Sequence, residues 1–154
     1  MQKITLLTVG KLKESWAREA ADMYVQRLRP SVSLTVMELG PSRGKDGPAQ
    51  QAEESDRILK MLGSMQGEIW VLDETGKGMI SKEFSKELEK AKDQGTHLVL
   101  VLGGAYGFTD AVRNKAQKLI RLSDMTFPHE LCRVVLLEQL YRAFEIQKGS
   151  GYHH

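Results

Sequence analysis

The sequence has little of what cross-links a protein, spans a membrane or gives it a strong charge. Its single cysteine, Cys132, excludes a disulfide framework and fits a reducing compartment. No apolar run is long enough for a membrane span, and the first residues lack the apolar core and cleavage site of a signal peptide. The net charge of +2 permits an acidic partner without predicting one. Together these absences predict a cytoplasmic protein.

Several functional motifs are absent as well. The chain contains no G-x-G-x-x-G and no G-x-x-x-x-G-K-[ST], which disfavours the common loops that bind dinucleotides and phosphates. No cysteine and histidine cluster has the spacing of a zinc site, so no metal is predicted. Cys132 is better explained as a small buried hydrophobe than as a nucleophile.

What is present is the composition of an ordinary globular domain, with 41% apolar and 27% charged residues in 154. Apolar runs and amphipathic segments alternate along the chain. We predict strands at 4–9, 32–39, 68–72, 98–102 and 119–122, and helices at 16–28, 49–62, 81–92, 110–118 and 130–147. Ser81 and Thr109 are the predicted N-caps of two helices. The alternation predicts a single α/β domain over 1–154, with a mostly parallel sheet covered by helices on both faces.

Three of the predicted strands end in glycine or small residues, at Leu72–Asp73, at Gly103–Gly104 and at 122–126. The carboxyl ends of parallel strands are where an open α/β sheet binds its ligand. Glycines let a ligand approach the main chain, whose amides and carbonyls can recognise an adenine edge. Each strand end alone is explained most simply as a turn. Taken together, the three ends are explained equally well as turns or as a binding site for a ligand without phosphate.

Two further segments have alternative interpretations. The loop 40–48 contains three glycines, two prolines, Arg43 and Lys45. It is either a mobile solvent loop or an arm that contacts phosphates, and the first is the simpler interpretation. His129 begins the last helix and is explained most simply by capping or packing, although it could also exchange a proton.

The last helix is apolar around most of its circumference, which predicts burial on more than one side and a second chain that covers it. Glu138, Arg142 and Glu145 lie on one stripe of this helix, either as internal ion pairs or facing a site. The tail Tyr152–His153 fits either a tag remnant or a segment that stacks on a substrate base.

Five segments carry a resemblance to one family: GKLKE at 10–14, LDETGK at 72–77, GGAYG at 103–107, MTFPHELCRVVLLEQLYRAFEI at 125–146 and YH at 152–153. The chain resembles the ribosomal large subunit pseudouridine N3-methyltransferase H family of the SPOUT superfamily over essentially its whole length. The block at 125–146 is the most specific part. Family members often continue with Lys or Arg after Tyr-His, whereas His154 follows here.

The resemblance implies an α/β methyltransferase with a C-terminal trefoil knot, an exception to the rule of unknotted chains. It also implies a homodimer that binds S-adenosylmethionine in the knot. The implied reaction is methylation of N3 of a pseudouridine in the helix 69 loop of 23S rRNA, on the assembled ribosome. A non-catalytic RNA- or ribosome-binding α/β domain is the competing hypothesis.

The resemblance also assigns roles by position. The implied cofactor-binding residues are Leu72, Gly103, Gly104, Leu122, Ser123, Asp124, Met125, Thr126 and Phe127. The implied catalytic residues are His129, Glu138, Arg142 and His153, with Tyr152 beside them. Because the N3 imide must lose its proton, His129, Glu138 and His153 are candidate bases. Arg142 is the candidate for stabilising negative charge on the base.

Overall fold

Five strands and five helices alternate along the chain, and the computed structural model describes all 154 residues. The strands are β1 (Gln2–Val9), β2 (Val32–Leu39), β3 (Glu68–Gly78), β4 (Leu98–Leu102) and β5 (Lys118–Arg121). The helices are α1 (Ser15–Leu28), α2 (Gly47–Gly63), α3 (Ser81–Asp93), α4 (Asp110–Arg113) and α5 (His129–Lys148). The strands form one sheet in the order β2-β1-β4-β3-β5, and every pairing is parallel.

Both faces of this sheet are buried, as predicted. Leu6, Leu100 and Trp70 are neighbours in register and are completely buried on the face that α1, α3 and α5 cover. On the other face, Val71 and Val101 pack with side chains of α2 and α4. Successive residues of the central strands β1 and β4 therefore enter different cores, which is why these strands contain continuous apolar runs. None of the five helices is both long enough and apolar enough to cross a membrane.

Three local predictions are wrong. The helix predicted at 110–118 ends at Arg113, because the main chain at Gln117 already bonds to β3: its N–H donates to the Ile69 carbonyl at 2.8 Å. The segment 73–78 continues β3 instead of forming a turn, and pairs again with β5 at Lys77 and Gly78 after an irregularity. Ile80, not Ser81, is the N-cap of α3. The Ser81 hydroxyl instead donates to Gln139 Oε1 at 2.7 Å.

Helix α5 buries one side and leaves others partly covered. Its residues Leu136, Leu137 and Leu140 are at most 1% exposed, whereas Val134 and Tyr141 are only half-buried against the core. Its buried Arg133 pairs with Glu38 of β2 at 2.6 Å and donates to the Gly10 carbonyl at 2.9 Å. The start of α5 is therefore joined to the carboxyl ends of β1 and β2. Coverage of its remaining apolar side by a second chain stays a prediction.

Candidate active site

An open cleft of about 840 Å³ lies between Leu72–Glu74, in the middle of β3, and the carboxyl ends of β4 and β5. This size suits a small molecule, since such sites typically measure about 300–1,000 Å³. One predicted catalytic residue, His129, lies exposed on its wall. All nine predicted cofactor-binding residues also line it: Leu72, Gly103, Gly104, Leu122, Ser123, Asp124, Met125, Thr126 and Phe127. The structure thus brings together residues from three separate segments of the chain.

The loop between β5 and α5 presents its main chain to the cleft. No main-chain to main-chain hydrogen bond involves any residue of 123–127. The Met125 amide donates to Ser123 Oγ at 3.0 Å, and the Cys132 thiol contacts the Phe127 carbonyl at 3.6 Å. Other peptide groups of the loop are therefore available to hydrogen-bond a ligand. Burial raises the pKa of the Cys132 thiol, which agrees with its interpretation as an unreactive packing residue.

The turn Gly103–Gly104 is shaped by what lies behind it. A Cβ atom on Gly103 would come within 3.0 Å of the Phe108 ring, and one on Gly104 within 2.7 Å of Glu54 Oε1. A side chain at Gly103 would therefore press on the Phe108 ring, and one at Gly104 would displace the Glu54 carboxylate. Sequence reasoning anticipated the glycines as a surface that a ligand approaches, but it did not identify these two neighbours.

Helix α2 supports the loop 103–109 through two polar side chains one helical turn apart, Gln51 and Ser55. Gln51 Nε2 donates to the Tyr106 carbonyl at 2.9 Å, and Ser55 Oγ accepts from the Thr109 amide at 3.0 Å. Between them, Glu54 is only 7% exposed and its Oε1 has no hydrogen-bond partner. Burial raises the pKa of this carboxyl. Thr109 is the N-cap of α4, as predicted, although its hydroxyl makes no capping bond.

An ion pair missing from the sequence-based prediction lies on the wall of the cleft. Arg113 Nε is 3.2 Å from Asp73 Oδ2, and Arg113 Nη1 is 2.9 Å from Asp110 Oδ1. Burial raises the pKa of Asp73, but hydrogen bonds from Thr75 and Arg113 outweigh it and leave the pKa below its ordinary value. Asp73 therefore stays ionised and compensates the charge of Arg113. The pair joins residues 40 positions apart, so no local pattern could identify it.

The chain terminus folds back onto the end of α5. Gly149, with φ +66°, ends the helix in the left-handed conformation, and the Ser150 amide donates to the Glu145 carbonyl at 3.2 Å. This turn returns the tail to α5, where the Tyr152 ring meets the Tyr141 ring edge-on at a centroid distance of 4.9 Å. The tail is therefore a packed part of the fold.

Three predicted catalytic side chains form one cluster around Arg142. Arg142 Nε is 2.6 Å from Glu138 Oε1, and its Nη1 is 3.0 Å from His153 Nδ1. The guanidinium also lies 4.9 Å from the centroid of the Tyr152 ring. Because a guanidinium can only donate, His153 Nδ1 accepts, and the ring proton of neutral His153 resides on Nε2.

His129 lies apart from this cluster. The helical rise of 1.5 Å per residue places His129 and Arg142 about 20 Å apart along α5. His153 instead lines a second cavity, of about 530 Å³, that shares Arg121 and Leu122 with the cleft. Within one chain, the four predicted catalytic residues therefore lie in two places. His129 lines the cleft, and Glu138, Arg142 and His153 form the cluster.

The amino-acid sequence matches, over residues 2–153, the family model described as predicted SPOUT methyltransferase. Ribosomal RNA large subunit methyltransferase H of Geobacter sp. (strain M21) is 44% identical over 153 residues, which cover 99% of each chain. The protein of the same name from Nitratidesulfovibrio vulgaris (strain DSM 19637 / Miyazaki F) is 42% identical over 156 residues and 100% of each chain.

Two solved structures share the fold at low sequence identity. A probable methylase family protein from Haemophilus influenzae Rd KW20 superposes with a TM-score of 0.60 at 10% identity, over 99% of this chain and 71% of that one. Lpg2936 from Legionella pneumophila, described as a methyltransferase with bound SAM, gives a TM-score of 0.52 at 12% identity, over 92% and 66%. At such identities the likeness concerns the fold alone.

Proposed function

The chain belongs to the SPOUT methyltransferase family and is a methyltransferase, and we propose that it methylates N3 of a pseudouridine in the helix 69 loop of 23S rRNA. The methyl donor is S-adenosylmethionine and the substrate is the assembled ribosome, which places the enzyme in the cytoplasm. The shared name of the relatives supports large-subunit rRNA as the substrate. The observation that carries the proposal is the convergence of all nine predicted cofactor-binding residues on one cleft.

The cleft fits an adenosyl ligand that has no phosphate. Its loop 123–127 offers peptide groups that make no other main-chain hydrogen bond, as recognition of an adenine edge requires. The two arginines on its wall are already neutralised, Arg113 by Asp73 and Arg121 by Asp124 at 2.9 Å. When bound, S-adenosylmethionine supplies an activated methyl group, so the protein has only to position the reactants and remove a proton.

Of the three candidate bases, we favour His129. Its ring makes no hydrogen bond to the rest of the chain and is exposed on the wall of the cleft. Glu138 and Nδ1 of His153 are both occupied by Arg142. His129 would accept the imide proton directly or through a water molecule. Arg142 would stabilise the negative charge left on the ring, and Tyr152 would stack on the base.

We also propose that the enzyme is a homodimer whose two subunits share each active site. Helix α1 exposes Trp16 and Met23, at 49% and 40%, beside the half-buried Tyr24. Such an apolar stripe favours a partner. If two copies of α5 pack antiparallel across a two-fold axis, Arg142 of one copy approaches His129 of the other. In such a dimer, the partner subunit bridges the separation of about 20 Å between His129 and Arg142 of one chain.

Mixed dimers test this arrangement. Gly104→Val inactivates the cleft, and Arg142→Ala inactivates the cluster. When the two inactive variants are mixed and allowed to exchange subunits, shared sites predict a recovery of about a quarter of the wild-type rate, because half the dimers then carry one intact site. No recovery despite proven exchange would place both parts of the site in the same chain.

We propose that the trefoil knot lies near the close contact between β3 and β5. A Cβ atom on Gly76 would come within 2.6 Å of the main chain at Leu119 and Ile120, so the two segments touch here. The irregularity in the β3–β5 pairing, between Leu72 and Lys77, lies at the same place. An approach this close needs glycine, and it lies next to the loop 122–127 that lines the cleft.

Deletion of the gene in the source organism tests the reaction. We expect mass spectrometry of its 23S rRNA to show one pseudouridine in helix 69 without its methyl group, and re-expression of the wild-type chain to restore it. An unchanged methylation pattern would reject the proposal. Calorimetric titration with S-adenosylmethionine separates the competing hypothesis, since a non-catalytic RNA-binding domain predicts no saturable binding.

A further inference from the structure

Two loops beside the cleft carry cations that the proposed reaction does not use. They are the β1–α1 loop (10–14) and the β2–α2 loop (40–46), and they leave the sheet side by side. Val9 and Leu39 are partners in register, and the Gly10 amide donates to the Leu39 carbonyl at 2.7 Å. Both loops therefore lie at the carboxyl edge of the sheet, the edge that also forms the cleft.

The β1–α1 loop is held in place from both sides. Glu130 Oε1 accepts hydrogen bonds from the Lys13 amide at 2.8 Å and the Glu14 amide at 3.0 Å. On the other side, Arg18 Nη1 donates to the carbonyls of Leu12 at 3.2 Å and Lys13 at 2.7 Å. The backbone that carries Lys11 and Lys13 is consequently fixed relative to the start of α5.

The β2–α2 loop is also fixed, which disfavours its interpretation as a mobile solvent loop. Arg57 of α2 donates to the carbonyls of Gly40 at 2.6 Å and Pro41 at 2.7 Å. Gln50 Nε2 donates to the Gly44 carbonyl at 3.1 Å. Asp46 ends the loop as the N-cap of α2 and accepts from the Ala49 amide at 2.8 Å.

Each loop is joined to a residue on the wall of the cleft. Glu130, which holds the β1–α1 loop, directly follows His129. Gly47, which follows the β2–α2 loop, lies so close to the Tyr106 ring that a Cβ atom there would come within 2.8 Å of it. The two loops therefore flank the cleft on the side of β1 and β2.

The cations of these loops are free, in contrast to those within the cleft. Lys11, Lys13, Arg43 and Lys45 are exposed, and none of them takes part in an ion pair. Of the acidic neighbours, Asp46 is occupied in capping α2 and Glu53 pairs with Arg57, whereas Glu14 is exposed next to Lys13. Free cations on a fixed backbone are suited to a polyanion whose charges have a defined geometry.

We propose that Lys11, Lys13, Arg43 and Lys45 form a docking surface for the RNA phosphates that flank the target nucleotide. The proposal rests on the proposed function, because it assigns this surface to the same rRNA substrate. The chain carries a net charge of only +2, so attraction by the whole molecule is weak and local cations are needed to orient the RNA.

The test replaces all four residues by alanine and measures binding of the full-length protein to ribosomes over a range of monovalent salt. We expect the affinity to fall by about 10-fold or more at low salt, and the slope of log K against log salt to decrease by about 3, since each lost phosphate contact removes roughly 0.7–0.9. The affinity for S-adenosylmethionine should not change, which also shows that the variant is folded.

A matched control removes the same charge from the opposite edge of the sheet. Lys60, Lys90, Lys92 and Lys115 are exposed near the carboxyl ends of α2, α3 and α4, and none is in an ion pair. Their replacement by alanine should leave most of the affinity intact. An equal loss of ribosome affinity in both variants, or no loss in the first, would overturn the proposal of a docking surface. If the wild-type protein still methylates rRNA, the proposed function survives that result; a wild type without this activity overturns both.

Discussion

The cleft and the cluster around Arg142 are built from different parts of the chain. The cleft is lined by the loops 103–107 and 122–127, and the arginines on its wall are neutralised by aspartates. In the cluster, the guanidinium of Arg142 contacts the side chains of Glu138, Tyr152 and His153. A site made of main chain depends on the shape of its turns, whereas a site made of side chains depends on their chemistry. Substitutions should therefore affect the two regions differently.

The largest effect is expected from Arg142→Ala. It removes the charge proposed to stabilise the deprotonated base, and loss of one such group typically costs about 10²–10³ in rate. The methylation rate on ribosomes should fall by that factor, while calorimetry should show unchanged binding of S-adenosylmethionine. Arg142→Lys is the matched control: it keeps the charge but not the fork that reaches Glu138 and His153 together, so it should restore only part of the rate. A wild-type rate for Arg142→Ala would remove the cluster from the mechanism.

The next effect is on the shape of the cleft. Gly104→Ala places a methyl group within 2.7 Å of Glu54 Oε1, and overpacking of this kind costs about 1–3 kcal/mol. We expect weaker cofactor binding by roughly 10-fold, measured by calorimetry.

The double variant Gly104→Ala/Glu54→Ala removes the contact and should recover part of that loss, since touching residues couple by about 0.5–3 kcal/mol. Purely additive effects would show that the turn is not shaped by Glu54.

A smaller effect is expected on the pH dependence of the protein's stability, through Glu54, which lies behind Gly104. Because burial raises the pKa of Glu54 above 4.5, the carboxyl contributes stability while it is protonated, and this contribution is lost as pH rises through the raised pKa. Glu54→Gln should therefore gain roughly 1 kcal/mol over the wild type at neutral pH, and the difference should shrink below the ordinary pKa. Urea denaturation at several pH values measures it.

The neighbour Glu53 is the control of opposite sign. The hydrogen bond from the Ser42 hydroxyl lowers the pKa of this partly exposed carboxyl. Its contribution to stability is therefore present above the ordinary pKa and is lost as pH falls. Glu53→Gln should destabilise the protein at neutral pH and converge with the wild type in acid. Equal pH profiles of stability for the two variants would contradict the description of Glu54 as a buried carboxyl with a raised pKa.

The smallest effect is expected from Cys132→Ala. Cys132 lines the cleft, but burial raises the pKa of its thiol, and its contact with the Phe127 carbonyl is long, at 3.6 Å. The methylation rate should stay within about 2-fold of the wild type, because a neutral thiol behaves as a small hydrophobe. Alkylation of the wild type with iodoacetamide should be slow and slower still with S-adenosylmethionine bound. Rapid inactivation that the cofactor does not prevent would contradict this placement.

The class of fold was predictable because its signal is local. Buried parallel strands require continuous apolar runs, and β4 has the bounds predicted from such a run. The edge strand β2 has the bounds predicted from its partly alternating pattern. The incorrect predictions involve residues whose hydrogen-bond partners are distant in sequence. Gln117 bonds to Ile69, and Ser81 bonds to Gln139. Short-range patterns contain no information about such partners, so the end of α4 and the cap of α3 could not be inferred from them.

The candidate site was predictable to a different extent in its two parts. Resemblance pointed to the residues of the cleft because its loops lie in compact motifs at 72–77, 103–107 and 125–146. That these residues bind the cofactor stays a prediction. The supporting residues Glu54 and Arg113 were missed, since nothing near them in the sequence marks a contact with Gly104 or Asp73.

The sequence by itself determined the alternating strands and helices, the burial of the central strands β1 and β4 on two faces and the glycines at the strand ends. These features follow from apolar periodicity and backbone freedom over a few residues. Only the tertiary structure decided which strand ends meet in the cleft, that Asp73 neutralises Arg113, and that the tail packs against Tyr141 and Arg142. Those contacts join residues far apart in the chain, and they form only after the sheet order and the packing of α5 have brought them together.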